Sequence, residues 1–378
     1  MDFDFLSPID ERLLAHNLML PEQVIGRNLS IHTQKDGIPE LTDVRVALVS
    51  LEPRLVKGEP LHLRFRQQFY QLFVGNWDFS CADLGVLHSG DHPKDTLFAL
   101  KTLVKELHQR NILTVVVGGE QENTLGMFRG LSGMNTYINL TSIDARFDFG
   151  EPGILVSDDS YMSKIITEKP NNLKQFTNLG YQSYYVSQEE LDLMQKLFFD
   201  AYRLGDITAD LHESEPILRD TDILSIDLSS VKASELDDSK GLPNGFDGAQ
   251  ICKLMRYAGL SDRLSVLGVF NISDSLRTDQ LLAQMIWYVF EGYSHRVNEY
   301  PFSTHEVCTK FVVPQEQAAL IFYRSEKSQR WWIEVPKEGK YNNNDQVTLL
   351  PCAEKDYRLA QKGEVPSRWW KSVKRSMH

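Results

Sequence analysis

Thr136-Tyr137-Ile138-Asn139-Leu140-Thr141-Ser142-Ile143-Asp144-Ala145-Arg146-Phe147-Asp148 is the stretch on which the fold turns. Its first eight residues are rich in β-branched and aromatic side chains and read as a strand, which gives way to two aspartates spaced i, i+4. Two other apolar runs end in a similar way. Leu113–Val117 leads into Gly118-Gly119-Glu120-Gln121, and Ile223–Ile226 leads into Asp227-Leu228-Ser229. In a parallel α/β sheet, functional side chains gather in the crevice at the carboxyl ends of the strands. Asp144, Asp148 and Asp227 are therefore expected to meet at one point, although they lie far apart in the chain.

The surrounding sequence repeats this alternation. Strand-like runs at Val44–Leu51, Leu113–Val117, Thr136–Ile143, Gln182–Val186, Ile223–Ile226 and Leu264–Phe270 are separated by helix-length amphipathic stretches. In the helix predicted over Pro93–Arg110, Leu97, Leu100, Leu103, Val104 and Leu107 form one stripe, and Asp91-His92-Pro93 reads as its cap and first-turn proline. Further helices are predicted over Glu189–Leu204, over Asn244–Ala258 with Gly259 ending it, and over Leu276–Tyr293. Tyr161–Leu179 and Asp210–Asp222 read as polar surface connections. The pattern predicts a three-layer α/β/α domain with a mostly parallel sheet over residues 1–300. A small C-terminal extension follows over residues 301–378, with a β-hairpin (Ala318–Tyr323 and Gln329–Val335) and a helical tail (Glu354–His378). Adjacent tryptophans in a strand face opposite ways, so one of Trp331 and Trp332 is expected in the core. The other is expected exposed or beneath the tail, and the tail with Trp369-Trp370 is expected to pack on the hairpin.

Composition narrows the function. With 378 residues and 42% hydrophobic content the chain can bury a large core, and its net charge of -12 argues against nucleic-acid binding. No apolar stretch approaches the roughly 20 residues that span a bilayer, and the acidic start Met1-Asp2-Phe3-Asp4-Phe5 is unlike a signal peptide. A cytoplasmic protein with no membrane partner is the expectation. The four cysteines form no CxxC pair, which gives no sign of a zinc site or disulfide framework. The ten histidines avoid all three strand-end clusters. Ser142, Ser225, Ser229 and Ser230 have no base placed beside them by a recognisable motif.

Taken in order, the three clusters resemble the ureohydrolase family of arginase, agmatinase and formimidoylglutamase. The resemblance extends over roughly residues 30 to 298, including Gly90-Asp91 and Ser273-Asp274 with Thr278. It implies the arginase-like fold, hydrolysis of guanidino or formimino carbon–nitrogen bonds by a dimanganese-activated water, an amidine or amino-acid ligand, and a homo-oligomer, trimer or hexamer. The family pattern is Gly-Gly-x-His, Asp-x-His-x-Asp and Ser-x-Asp-x-Asp, and this chain departs from it. Gln121 stands at the first histidine, Arg146 at the second and Ser229 at the last aspartate, while Asp144, Asp148 and Asp227 are retained. Lys232 falls at an aspartate, Asn271 at a substrate-binding glutamate, and Ser160 near a proton-shuttling histidine.

Arg146 carries a permanent charge and cannot be a ligand. At about 4 Å it would repel a divalent ion by roughly 8 kcal/mol at an effective dielectric of 20. The expectation is that Arg146 replaces one metal and pairs with Asp144 or Asp227. The other position, formed by Asp144, Asp148 and Asp227 with Gln121 as a possible fourth ligand, is left with two states. It holds no cation, or it holds one hard cation such as magnesium, calcium or manganese. The leading function is a pseudoenzyme whose remodelled cleft, formed by Gln121, Arg146, Ser160, Ser229 and Asn271, serves binding or assembly. The alternative is an active amidine hydrolase with at most one metal, or with Arg146 as electrophile.

Overall fold

The computed structural model describes residues 3–52, 58–133, 137–150, 156–299, 308–316, 319–336 and 347–376. The main sheet has ten strands: β1 (Leu6–Ser7), β2 (Leu29–Ile31), β3 (Val44–Glu52), β4 (Ser80–His88), β5 (Leu113–Val117), β6 (Ile138–Ile143), β7 (Leu173–Tyr181), β8 (Asp200–Arg203), β9 (Ile223–Asp227) and β10 (Val266–Phe270). They lie in the order β1-β4-β3-β5-β10-β9-β6-β7-β8, with β2 also on β4. Every pairing is parallel except β1 with β4.

The central strands are almost continuously apolar because both faces are covered. The helices Leu61–Phe69, Gly248–Gly259 and Leu276–Ser294 bury Phe65, Leu254 and Met285 on one side. Pro93–Gln109, Thr124–Ser132 and Tyr161–Thr167 bury Leu103, Phe128 and Ile165 on the other. The result is the three-layer α/β/α architecture. Among the described residues no helix is long and apolar enough to cross a membrane.

Several local expectations are corrected, each for a physical reason. The strand placed at Gln182–Val186 lies earlier, as β7, within the stretch taken for a polar connection. Thr177 and Asn178 are buried there, and Asn178 Nδ2 donates to the Arg146 carbonyl at 2.6 Å, so polar residues occupy core positions that an apolar pattern misses. The helix expected over Glu189–Leu204 ends at Lys196, and the chain turns at Phe198 (φ +55°) into β8. β4 escaped sequence reading because Asp83 interrupts it. That carboxylate accepts Arg66 Nε and Nη2, both at 2.7 Å, and the Tyr70 hydroxyl at 2.9 Å, all within the core.

The helix assigned to Asn244–Ala258 begins at Gly248, where the Asp247 side chain accepts the Gln250 N–H at 2.8 Å. It ends, as expected, at Gly259, its last residue, where a Cβ would come within 2.3 Å of the Val289 carbonyl oxygen and 3.0 Å of the Gly292 Cα. Glycine permits the close crossing of this helix with Leu276–Ser294.

The extension is more than a hairpin. β11 (Cys308–Val313), β12 (Leu320–Ser325), β13 (Trp331–Pro336) and β14 (Val347–Cys352) form an antiparallel four-stranded sheet. Two helices follow, Glu354–Gln361 and Ser367–Ser376. Thr136, Ala318, residues 339–345, which the run Asn342-Asn343-Asn344 marks in the sequence as a loop, and the last two residues of the expected tail lie outside the described residues. Trp331 and Trp332 are both buried: Trp331 stacks on Tyr357 with centroids 4.8 Å apart, and Trp332 lies under the Arg219 guanidinium at 4.7 Å. The cover over Trp332 thus comes from the α/β body. Arg219 also donates to the carbonyls of Trp331 (3.1 Å) and Cys352 (3.2 Å), tying the helix Ser214–Arg219 to the small sheet. Trp369 Nε1 donates to the Glu334 carbonyl at 2.7 Å, and Lys371 pairs with Asp200 on β8 at 2.6 Å.

Candidate functional site

The parallel register fixes where the polar clusters emerge. β10 lies between β5 and β9, and β9 pairs with β6, so the residues after Val117, Phe270, Asp227 and Ile143 share one edge of the sheet. Gly118 and Gly119 both take positive φ, +102° and +76°, turning the chain into a short 3-10 segment that begins at Gln121. Gln121 is buried, and its Nε2 lies 3.3 Å from both Ser142 Oγ on β6 and Ser225 Oγ on β9. This amide thereby bridges the strands leading to Asp144 and Asp227.

Asp144 is buried, and its Oδ1 accepts the Arg146 N–H at 2.8 Å. Burial first, and then the charge of Asp227, push the Asp144 carboxyl up to about 8. Asp148, buried in a left-handed turn (φ +55°), is raised well above the usual carboxylate range by burial and by Asp144. Asp227 is raised by burial, against the opposing effect of its hydrogen bonds to Ser229 and Asn271. Gln121 Oε1, Asp144 Oδ2, Asp148 Oδ2 and the Tyr161 hydroxyl are buried with no partner within strict hydrogen-bond geometry. A proton held by Asp148 and turned toward Asp144 is consistent with that contact raising one carboxyl and lowering the other.

Asp144, Asp148, Asp227, Gln121 and Asn271 therefore come together. Arg146 does not join them. Its side chain is exposed and stacks over Tyr185, 4.9 Å from the ring centroid, so the expected pairing with Asp144 or Asp227 is not formed. The reason is local: Arg146 N–H binds Asp144, its carbonyl accepts from Asn178, and Ala145 and Phe147 point into the core, which leaves the guanidinium outward. Solvent and an aromatic face also avoid the cost of burying that charge. Ser160 precedes the helix Tyr161–Thr167, with its hydroxyl 3.0 Å from the Ser157 N–H and hydroxyl. Ser229 acts through its N–H, 2.7 Å from Asp227 Oδ1. Lys232 lies on the outer side of this edge, in a separate cleft.

Sequence reading missed three members. Asp158 accepts the Glu122 N–H at 3.0 Å and is raised by burial. Glu122 is pushed up to about 7 by burial and by the charges of Glu120 and Asp158. Tyr161 lies buried beside Asp148 and Asp144, with its hydroxyl raised well above normal by burial. The pair Asp158-Asp159, directly before Ser160, was the available signal.

A dimanganese centre does not fit these donors. Among the described residues no group of three or more His, Cys, Asp or Glu side chains is disposed to hold a metal ion. Each oxygen of Asp227 accepts one hydrogen bond, Oδ1 from the Ser229 N–H and Oδ2 from Asn271 Nδ2 at 3.1 Å.

Residues 51–234 match the model of the arginase family. No curated protein sequence matches the chain. Among solved structures, the formiminoglutamase of Trypanosoma cruzi with Mn2+2 is similar at TM-score 0.63 and 14% identity, over 72% of this chain and 99% of that one. The formimidoylglutamase of Bacillus subtilis gives 0.58 and 12%, over 71% and 96%. The agmatine ureohydrolase of Thermoplasma volcanium gives 0.54 and 14%, over 71% and 94%. At these identities the likeness to solved structures speaks for the fold alone, and it agrees with the family match, by which residues 51–234 are similar to the arginase, or ureohydrolase, family.

Proposed function

We propose that this arginase-like protein is a pseudoenzyme in which dimanganese hydrolysis has been lost and the strand-end crevice serves binding or assembly. The observation that carries this reading is the pair of imidazole replacements: the Gln121 amide turns its Nε2 to Ser142 and Ser225, and the Arg146 guanidinium lies outward over Tyr185. With Gln121 and an outward Arg146 in place of imidazoles, nothing here activates a bridging water in the family's manner.

A second reading has one observation in its favour. Gln121 Oε1, Asp144 Oδ2 and Asp148 Oδ2 are three buried oxygens with no partner within strict hydrogen-bond geometry, a donor set that suits a single hard cation such as magnesium or manganese. It corresponds to an amidine hydrolase working with at most one metal. Two measurements on one preparation separate the readings. Metal content after purification with manganese should come to no more than one equivalent per chain. Release of urea, formamide or ammonia from arginine, agmatine and formiminoglutamate should stay at background. Turnover abolished by Asp148→Asn would establish the second reading, and two tightly bound equivalents would overturn both. Assembly as a trimer or hexamer, in the cytoplasm, belongs to this proposal on family resemblance, and light scattering reads the assembly.

A further inference from the structure

Beside the aspartate centre, on the same carboxyl edge of the sheet, lies a cleft of about 540 Å³ that the family chemistry does not use. It opens between the segment after β7, the start of the helix after β8, and the two crossing segments around Lys232 and Asn244. Its charge differs from that of the chain. Arg203 and Lys232 line it against one carboxylate, Asp206, in a protein with a net charge of -12. Among the described residues, no carboxylate reaches either cation within ion-pair distance.

The local structure orients the Arg203 side chain and anchors the backbone at Lys232. Arg203 Nε donates to the Tyr181 hydroxyl at 3.0 Å, which orients the guanidinium and leaves its terminal nitrogens without a bond among the described residues. Lys232 stands at a bridge between backbones: its N–H donates to the Phe246 carbonyl at 3.0 Å, next to the pairing of Val231 with Phe246. Opposite them is a wall of neutral polar groups. Gln182 Nε2 donates to the Asn244 carbonyl at 3.0 Å, and the Tyr184 hydroxyl donates to Gln182 Oε1. The Gln182 N–H donates to the Ala145 carbonyl at 3.0 Å, tying this wall to the Asp144–Asp148 loop.

We propose that this cleft binds a small organic anion, its carboxylate or phosphate held between Arg203 and Lys232 and its uncharged body against Tyr184 and Gln182. A planar guanidinium fork with a point-charge ammonium is the pairing that recognises such groups. The volume is in the range of small-molecule sites and exceeds what a bare ion fills. An anion here meets two cations against one carboxylate, whereas a cationic amidine would meet like charge. The inference goes beyond the pseudoenzyme reading, because it holds whether or not the aspartate centre turns anything over.

The test is calorimetric titration of the full chain with inorganic phosphate, citrate and L-glutamate as anionic probes. At least one should bind saturably, and which one identifies the headgroup. Arg203→Gln and Lys232→Gln should each weaken that binding about tenfold, and Asp206→Asn should tighten it about threefold, an opposite sign that general damage to the fold would not produce. Circular dichroism of each variant confirms folding. No saturable binding by any of the three anions, or binding that survives both cation substitutions, would overturn the proposal. Turnover and metal content do not enter this readout, so its failure is distinct from failure of the pseudoenzyme reading.

Discussion

Asn271 and Asp227 form a closed pair: Asn271 Nδ2 donates to Asp227 Oδ2 at 3.1 Å, from a backbone held at φ +56°. Asparagine tolerates that left-handed geometry better than most residues, so one side chain supplies both the turn and the bond. Asn271→Ala removes the partner of a mostly buried carboxylate and adds backbone strain. The expected loss is about 2–4 kcal/mol in denaturant unfolding. Asn271→Gly keeps the turn without strain and should lose only the part due to the bond.

The aspartate centre makes a pH prediction. Asp144 has a folded value of about 8, against an ordinary carboxylate near 4. Between those values the folded chain holds a proton that the unfolded chain has released. Stability from this group is therefore complete below about pH 4 and is lost as the pH rises through 8, on the order of 5 kcal/mol. Thermal unfolding should come at a lower temperature at pH 8.5 than at pH 5. Asp144→Asn, which keeps an oxygen for the Arg146 N–H, should flatten that dependence; an equally steep profile in the variant would refute the assignment.

Gly259 and Gly292 allow two long helices to cross in close contact. Gly259→Ala places a methyl 2.3 Å from the Val289 carbonyl oxygen, and backbone cannot swing aside as a side chain does. A cost of about 1–3 kcal/mol is expected, read as a lowered midpoint in urea. An alanine tolerated without loss would mean that the helices are farther apart.

Arg219, at the end of the helix Ser214–Arg219, ties that helix to the small sheet through two carbonyls and the face of Trp332. Arg219→Met keeps the aliphatic bulk but leaves those buried carbonyls without their donor. About 2–4 kcal/mol should be lost, and tryptophan fluorescence should report the extension loosening before the far-ultraviolet signal of the main sheet changes.

The sequence made the sheet legible where its strands are apolar: β3, β5, β6, β9 and β10 are buried on both faces and stand out in the chain. It hid β4 and β7, because Asp83 and Asn178 occupy buried positions through partners, Arg66 and the Arg146 carbonyl, that only tertiary structure reveals. The convergence of Asp144, Asp148 and Asp227 followed from strand ends alone. The direction of Arg146 did not, since a loop residue's side chain is set by which of its backbone groups are tied down. Asp158 and Tyr161 went unseen because they reach the centre from a helix start that carries no motif.

The ion pair between Lys371 and Asp200 has a further consequence. β8 is the last strand of the main sheet, and such a border is where a second molecule can add a strand of its own. The terminal helix brings Lys371 and Arg375 to this border, with Asp200 between them. The extension thus works as a bumper: while it stays docked, the β8 border is hindered from pairing with a strand of another chain.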